Sequence, residues 1–319
     1  MEPIVSVIIP NYNHGKYLDE RIQSVINQTF QDLEIIILDD CSPDNSREVI
    51  EKYRNHPKVS IILYNDINSG STFIQWNKGF TFAKGKYIWI AESDDFCEKE
   101  MLEFLVTELE KNSKNVISFC LSQFVDENGM KISPLLKTDK QICTYKSRSF
   151  ITLFMADENV ICNASSALFR RDLIPLISTN YKNYKAAGDR LFWIYIAEHG
   201  NVCMLNSPLN YFRQHKIKVS PKKLLDGTTF YEDYRITKYL QLKGYISKCR
   251  MFFIKNHYIN NVNKVINMPI NVRTDIYKLW NVPLSVPNRV ITYIDYLYNY
   301  AHRLIMKCYK LYYTKQIKR

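Results

Sequence analysis

The chain has 319 residues, 46% of them hydrophobic and 24% charged, a balance that excludes a disordered polymer and leaves room for about two domains. Only nine glycines occur, and neither Gly-x-Gly-x-x-Gly nor Gly-x-x-x-x-Gly-Lys-Ser/Thr is found, which excludes a glycine-rich phosphate cradle. The net charge of +11 favours a polyanionic partner such as nucleic acid, anionic lipid or a phosphorylated substrate.

In chain order, β-branched runs at residues 6–9, 34–38, 59–63 and 87–91 predict strands, with helix-period segments between them. Leu18, Ile22, Val25 and Ile26 recur at i, i+4, i+7 and i+8, and Phe73, Trp76 and Phe80 make a second stripe. Leu102, Leu105, Val106 and Leu109 predict a third helix. This alternation predicts an α/β fold with a mostly parallel central sheet and helices on both faces, the apolar stripes forming its core. After residue 112 the period is less regular. Residues 116–125 are strand-like, Asp126-Glu-Asn-Gly129 predicts a turn and residues 150–155 a short helix; Leu191, Phe192, Tyr195 and Ile196 form a helical stripe after Gly188. From about residue 222, Tyr-, Lys- and Asn-rich helical segments are interrupted by Pro269, Pro283 and Pro287. The chain is thus expected to divide into an α/β domain over 1–220 and a helical, basic C-terminal extension over 221–319.

The eight cysteines include no Cys-x-x-Cys pair, and several sit in apolar runs, which predicts reduced thiols and a cytoplasmic setting. No His-Glu-x-x-His pattern occurs among the six histidines, so no zinc motif is predicted. The first residues lack the basic lead and apolar core of a secretion signal, and no uncharged apolar run approaches the length of about 18 needed to span a bilayer. Residues 284–319 carry seven basic residues against one acid, Asp295, while Tyr293, Leu297, Tyr300 and Leu304 follow a helical spacing. Such a basic amphipathic helix has two readings: peripheral contact with an anionic membrane at the inner face of the cell membrane, or packing on the chain itself with a solvated basic face.

In open α/β sheets, ligands bind beyond the carboxyl ends of the strands. Three strands are followed by Pro10-Asn-Tyr-Asn-His14, Asp39-Asp-Cys-Ser-Pro-Asp44 and Glu92-Ser-Asp-Asp-Phe96, so three polar clusters are predicted to converge on one sheet edge. Each cluster alone fits an ordinary helix entry or cap as well as a ligand site. The carboxylates of Asp39, Asp40, Asp44, Asp94 and Asp95 repel one another at neighbouring strand ends unless a cation or a donor-rich ligand relieves them. Mg²⁺ or Mn²⁺ is the simplest compensation.

Several segments in this order carry a resemblance: Ser6-Val-Ile-Ile-Pro-Asn-Tyr-Asn13, Ser24-Val-Ile-Asn-Gln-Thr29, Glu34-Ile-Ile-Ile-Leu-Asp-Asp-Cys-Ser42, Asn68-Ser-Gly70 with Asn77-Lys-Gly79, and Gly85-Lys-Tyr-Ile-Trp-Ile-Ala-Glu-Ser-Asp-Asp95. The sequence resembles family-2 glycosyltransferases of the GT-A fold, densely over residues 4–110 and more thinly to about 220. The resemblance implies that Pro10 and Tyr12 line the nucleobase and ribose and that Asp39 accepts a hydrogen bond from the base imide. It implies that Asp94 holds the donor's ribose or sugar and that Asp95 ligates Mn²⁺ or Mg²⁺, which would neutralise the diphosphate. Asp189, in Ala187-Gly-Asp-Arg-Leu-Phe-Trp193, falls where the family places its catalytic base, and His215, in Tyr211-Phe-Arg-Gln-His215 followed by Ser220, where a histidine reaches the diphosphate or metal. Phe212 intervenes before Arg213, which leaves the position of that arginine open. On the residues alone, Asp189 also fits an ordinary helix N-terminus and His215 a structural histidine. Asn163-Ala-Ser-Ser166 with Arg170 and Arg171 falls where acceptor-side residues occur in the family, and surface charge accounts for the arginines equally well.

The expected activity is inverting, metal-dependent transfer of a sugar from a nucleotide diphosphate donor, UDP-linked, to a glycan or lipid-linked saccharide acceptor in cell-surface polysaccharide synthesis. A sugar nucleotidyltransferase is the nearest enzymatic alternative, but it would be expected to carry the missing glycine-rich loop. From another class comes a non-catalytic GT-A-like scaffold or polyanion-binding protein using the basic tail. Nucleic acid is not expected, since no docking motif accompanies the basic residues.

Overall fold

The computed structural model describes residues 2–132, 141–215 and 219–316, without the side chains of 219–221 and 306–316. The side chains of Ser220, Lys307, Lys310 and Lys315, and all of Lys318 and Arg319, lie outside the described residues. The strands are β1 (Val5–Asn11), β2 (Leu33–Asp39), β3 (Val59–Tyr64), β4 (Tyr87–Ile90), β5 (Phe96–Cys97), β6 (Asn115–Val125), β7 (Ile142–Tyr145), β8 (Ala167–Arg170) and β9 (Asn201–Arg213). The helices are α1 (Gly15–Ile26), α2 (Ser46–Glu51), α3 (Thr72–Phe82), α4 (Met101–Glu110), α5 (Ser147–Phe154), α6 (Gly188–Ala197), α7 (Val219–Leu225), α8 (Thr228–Leu242), α9 (Lys248–Lys264), α10 (Ile270–Leu279) and α11 (Asn288–Gln316).

The sheet runs in the order β3-β2-β1-β4-β8-β6-β9-β5, with β7 on β9. Its first four strands are parallel, as the alternation predicts, because α1, α2 and α3 carry the chain back between them. Beyond β4 the sheet is mixed: β8 is antiparallel to both β4 and β6, and β9 is parallel to β6 but antiparallel to β5 and β7. β9 shows no strand alternation in the sequence. Its Pro208 opposes Leu121, beside two register shifts in the pairing with β6, and such irregularities are where a sheet accepts proline. β1 and β2 are buried along their whole length and are mostly Val, Ile and Leu, with the buried Ser6 donating to Glu34 at 2.6 Å. Gly79 lets α3 lie directly on β1, since a Cβ there would meet Ile8 Cγ2 at 2.5 Å.

The chain forms two compact units. The sheet unit comprises Met1–Phe150, Val160–Asn183 and Gly188–Lys216; the helical unit comprises Ile151–Asn159, Tyr184–Ala187 and Ile217–Arg319. The division is therefore more than one cut near residue 220, because hydrogen bonds draw two earlier stretches into the helical unit. Glu232 on α8 accepts the backbone N–H groups of Lys185, Ala186 and Ala187 at 2.7–2.8 Å. The Tyr298 hydroxyl donates to Asp157 at 2.8 Å, and that of Tyr258 to the Asp157 carbonyl at 3.0 Å. In the same unit Tyr258 stacks on Trp280 with ring centroids 4.7 Å apart. Among the described residues no helix is long and apolar enough to cross a membrane.

Candidate functional site

The register of β1 on β2 places Asn11 beside Asp39, and the Asn11 amide donates to an Asp39 oxygen at 2.7 Å. Ser42 donates to the same carboxylate through its hydroxyl (2.6 Å) and its backbone N–H (3.0 Å). Asp40 accepts from Asn65, Ser69 and Gln75 and so ties down the loop after β3. Asp44 accepts from Gly15 at the start of α1 and from Ser46 at the start of α2. Three of the five clustered carboxylates thus have local hydrogen-bond donors. Asp39 keeps one oxygen with a single donor, leaving a lone pair for a ligand N–H. Tyr12, just beyond β1, is 47% exposed, whereas Pro10 is buried within the strand.

The loop after β4 supplies the chemistry. Asp95 is wholly buried: its carboxylate accepts from Asn163 Nδ2 (2.7 Å), Ser165 Oγ (2.7 Å) and the backbone N–H of Arg213 (3.0 Å). The Arg21 guanidinium lies 3.9 Å away, both side chains being fully buried, and its Nη2 has no hydrogen-bond partner. Burial, and then the charge of Asp94, hold the Asp95 carboxyl up at about 6 despite Arg21. Asp95, expected to be the metal ligand, is therefore enclosed by protein donors. Asn163 and Ser165, expected on the acceptor side, are two of those donors. Burial and the Asp94 charge also push the Glu92 carboxyl, which accepts from Trp76 Nε1 at 2.8 Å, up to about 8.

Asp94 points the other way. Its carboxylate meets His215 Nε2 at 2.7 Å and His14 Nδ1 at 4.0 Å, and the two imidazoles stack with centroids 5.5 Å apart. Burial opposes ionisation of Asp94, but the hydrogen bond from His215 and the two imidazoles outweigh it and hold its carboxyl below the usual range. The histidines shift oppositely: burial lowers His14, and the hydrogen bond to Asp94 raises His215. One ligand atom from each of His14, Asp94 and His215 lies within 4.8 Å of the others. This donor set could hold a divalent cation.

Arg213, the last residue of β9, acts as a clamp. Its side chain donates to the carbonyls of Asp94 (2.7 Å), Asp126 (3.2 Å) and Glu127 (3.0 Å) and to Glu20 on α1 (2.5 Å), and covers the Tyr17 ring. It positions the acidic loop and the approach to His215. Arg170 and Arg171 donate to backbone carbonyls of Asn115, Leu109 and Gly85, so they too are structural.

Asp189 stands in the first turn of α6. Gly188 before it is required by space, since a Cβ would lie 2.5 Å from the Phe73 ring and 2.6 Å from the Tyr181 carbonyl. Loss of solvent pushes the Cys162 thiol up to about 11, and the charges of Asp189 and Asp95 add to it. His14, Arg21 and Glu92 are the site residues that sequence reasoning missed. The usable signal for His14 was its place immediately after a strand end.

The model of the family described as Glycosyl transferase family 2 matches residues 6–175. Glycosyltransferase GlyG of Streptococcus pneumoniae is 36% identical over 117 residues, 37% of this chain and 38% of that protein. Chondroitin synthase of Escherichia coli is 35% identical over 132 residues, 41% of this chain and 19% of that protein. The chain thus spans less than half the length of either relative. Among solved structures, S. aureus TarS 1–349 in complex with UDP-GlcNAc superposes with a TM-score of 0.61 at 21% identity, covering 89% of this chain and 77% of that one. The mannosyltransferase PcManGT from Pyrobaculum calidifontis, in complex with GDP-Man and Mn²⁺, gives 0.53 at 13% identity, covering 95% and 87%. These two likenesses are of fold.

Proposed function

Because the chain belongs to glycosyl transferase family 2 and is a glycosyltransferase by that membership, we propose that it transfers a sugar, with inversion, from a UDP-linked donor to a glycan or lipid-linked acceptor in cell-surface polysaccharide synthesis. The observation that carries this reading is the meeting of His14, Asp94 and His215 at the ends of β1, β4 and β9. Tyr12 offers a stacking face to the nucleobase and Asp39 an acceptor for its imide. Support for the donor class comes from TarS, solved with UDP-GlcNAc, and support for the cation from PcManGT, solved with Mn²⁺. A divalent cation held by His14, Asp94 and His215 would neutralise the diphosphate and favour its departure.

The remaining work falls to the chain's own side chains. Asp189 removes the proton from the acceptor hydroxyl as that oxygen bonds to the anomeric carbon, while the bond from the anomeric carbon to the diphosphate oxygen breaks. Asp95, Arg21 and Arg213 position Asp94 from behind. Turnover of UDP-sugars with isolated acceptor glycans tests the reading. Asp189→Asn is expected to lower kcat by about 10²–10⁴-fold with the UDP Kd unchanged. His14→Ala and Asp94→Ala are expected to weaken Mn²⁺ binding, followed by the spin-resonance signal of the free ion. A protein that binds UDP and Mn²⁺ no better than its Asp94→Ala variant would overturn the site.

A further inference from the structure

The charge of this chain is unevenly placed. Residues 1–216 carry 24 Lys and Arg against 27 Asp and Glu, whereas residues 217–319 carry 19 against five, so the whole positive excess belongs to the C-terminal third of the sequence. Charge alone suits any polyanion. The shape of α11 narrows the choice.

Over its described side chains, residues 288–305, α11 buries one side. Ile291, Asp295 and Tyr298 are buried; Asp295 accepts from Asn260 and Asn299 and pairs with His257, and Tyr298 stacks on Phe253 of α9. On the outward side Val290, Tyr293, Leu297, Tyr300 and Leu304, spaced three or four residues apart, are 41–62% exposed. Beside that row run Arg289, Tyr296 and Arg303, all exposed, and the sequence continues it with Lys307 and Lys310. The helix's one acid, Asp295, is turned inward. The outward face is therefore an apolar and tyrosine-rich row with cations along one edge.

A soluble polyanion makes no use of the apolar row, and a second copy would bring two cationic flanks together. An anionic bilayer satisfies both features: aliphatic side chains enter the acyl boundary, tyrosines sit at head-group depth and the basic residues meet the lipid phosphates. We propose that the outward face of α11 docks this chain on an anionic lipid bilayer, with the helix lying in the plane of the interface. The proposal goes beyond the glycosyl-transfer reading and does not depend on it.

Co-sedimentation of the full chain with phosphatidylcholine vesicles, with and without phosphatidylglycerol, tests it. Binding is expected only to the anionic vesicles and is expected to weaken with salt. Each basic residue near such a surface contributes about a fivefold factor in partitioning, so Arg289→Gln with Arg303→Gln is expected to bind about 25-fold more weakly. Leu297→Ser with Leu304→Ser is expected to weaken binding at unchanged charge. All four side chains are exposed, and an unchanged melting temperature verifies the fold of both double variants. Absence of binding, or equal binding to neutral vesicles, overturns the proposal. Full binding by the serine variant assigns the face to a soluble polyanion instead. A dimeric mass by light scattering that the serine variant abolishes, without vesicle binding, assigns it to a second copy.

Discussion

Asp95→Ala and Asp94→Ala remove neighbouring carboxylates that have different jobs. Asp95 accepts from Asn163, Ser165 and the Arg213 backbone and is the counter-charge of Arg21, whose Nη2 has no hydrogen bond. Alanine there leaves a guanidinium buried without compensation, and breaking a buried pair from one side costs about 3–5 kcal/mol. At about 2–4 °C per kcal/mol for a unit of this size, the melting temperature is expected to fall by about 10 °C. Asp94 has its carboxylate turned toward His14 and His215, and its loss is expected to cost about 1 kcal/mol. Thermal melts with and without Mn²⁺ and UDP separate the two. Asp94→Ala should melt within a few degrees of the parent and gain nothing from Mn²⁺ and UDP; Asp95→Ala should melt far lower and still be raised by them. The opposite pattern, a stable Asp95→Ala protein deaf to the cation beside an Asp94→Ala protein that responds, refutes the assignment of roles.

Two further outcomes follow from the same loop and from α6. The Glu92 carboxyl is raised from 4.5 to about 8 in the folded chain, so between those values the native state keeps a proton that the unfolded chain has shed, and stability falls as pH rises through that window. Glu92→Gln should therefore flatten the decline in urea midpoint between pH 5 and pH 8, and an unchanged slope would sink the argument. Gly188→Ala forces a methyl against Phe73 and the Tyr181 carbonyl and is expected to lose about 1–3 kcal/mol in urea unfolding, with slower transfer because Asp189 is the next residue; a variant as stable as the parent would show that α6 has room to move.

The parallel half of the sheet was legible because β1, β2 and β4 are buried along their length and announce themselves as mostly apolar runs, as does the part-buried β3, with Leu18, Ile22 and Val25 marking the first intervening helix. β8 and β9 were not, since β8 has four residues and β9 carries Asn206, Pro208 and Asn210 where alternation would be sought. The acidic loop was found by composition, but composition cannot say which way adjacent side chains point. Asp94 faces two imidazoles while Asp95, the expected metal ligand, faces Asn163, Ser165 and Arg21, and the proposed cation site follows from that difference. His14 was counted in the polar cluster after the first strand but given no ligand role of its own, and the spacing of residues 14, 94 and 215 does not by itself show that their side chains meet. That meeting is a product of strand order alone.

Arg213 joins places that the chain keeps far apart: α1 through Glu20, the turn at Asp126 and Glu127, and the Asp94 carbonyl. A change at Glu20, on the outer surface of α1, is therefore not silent, because it releases one arm of the guanidinium that sets the path of the chain toward His215. Tolerance to mutation around this site is therefore expected to follow the hydrogen bonds of Arg213. A survey of variants would find intolerant positions on the protein's exterior, where a map drawn by proximity would mark none.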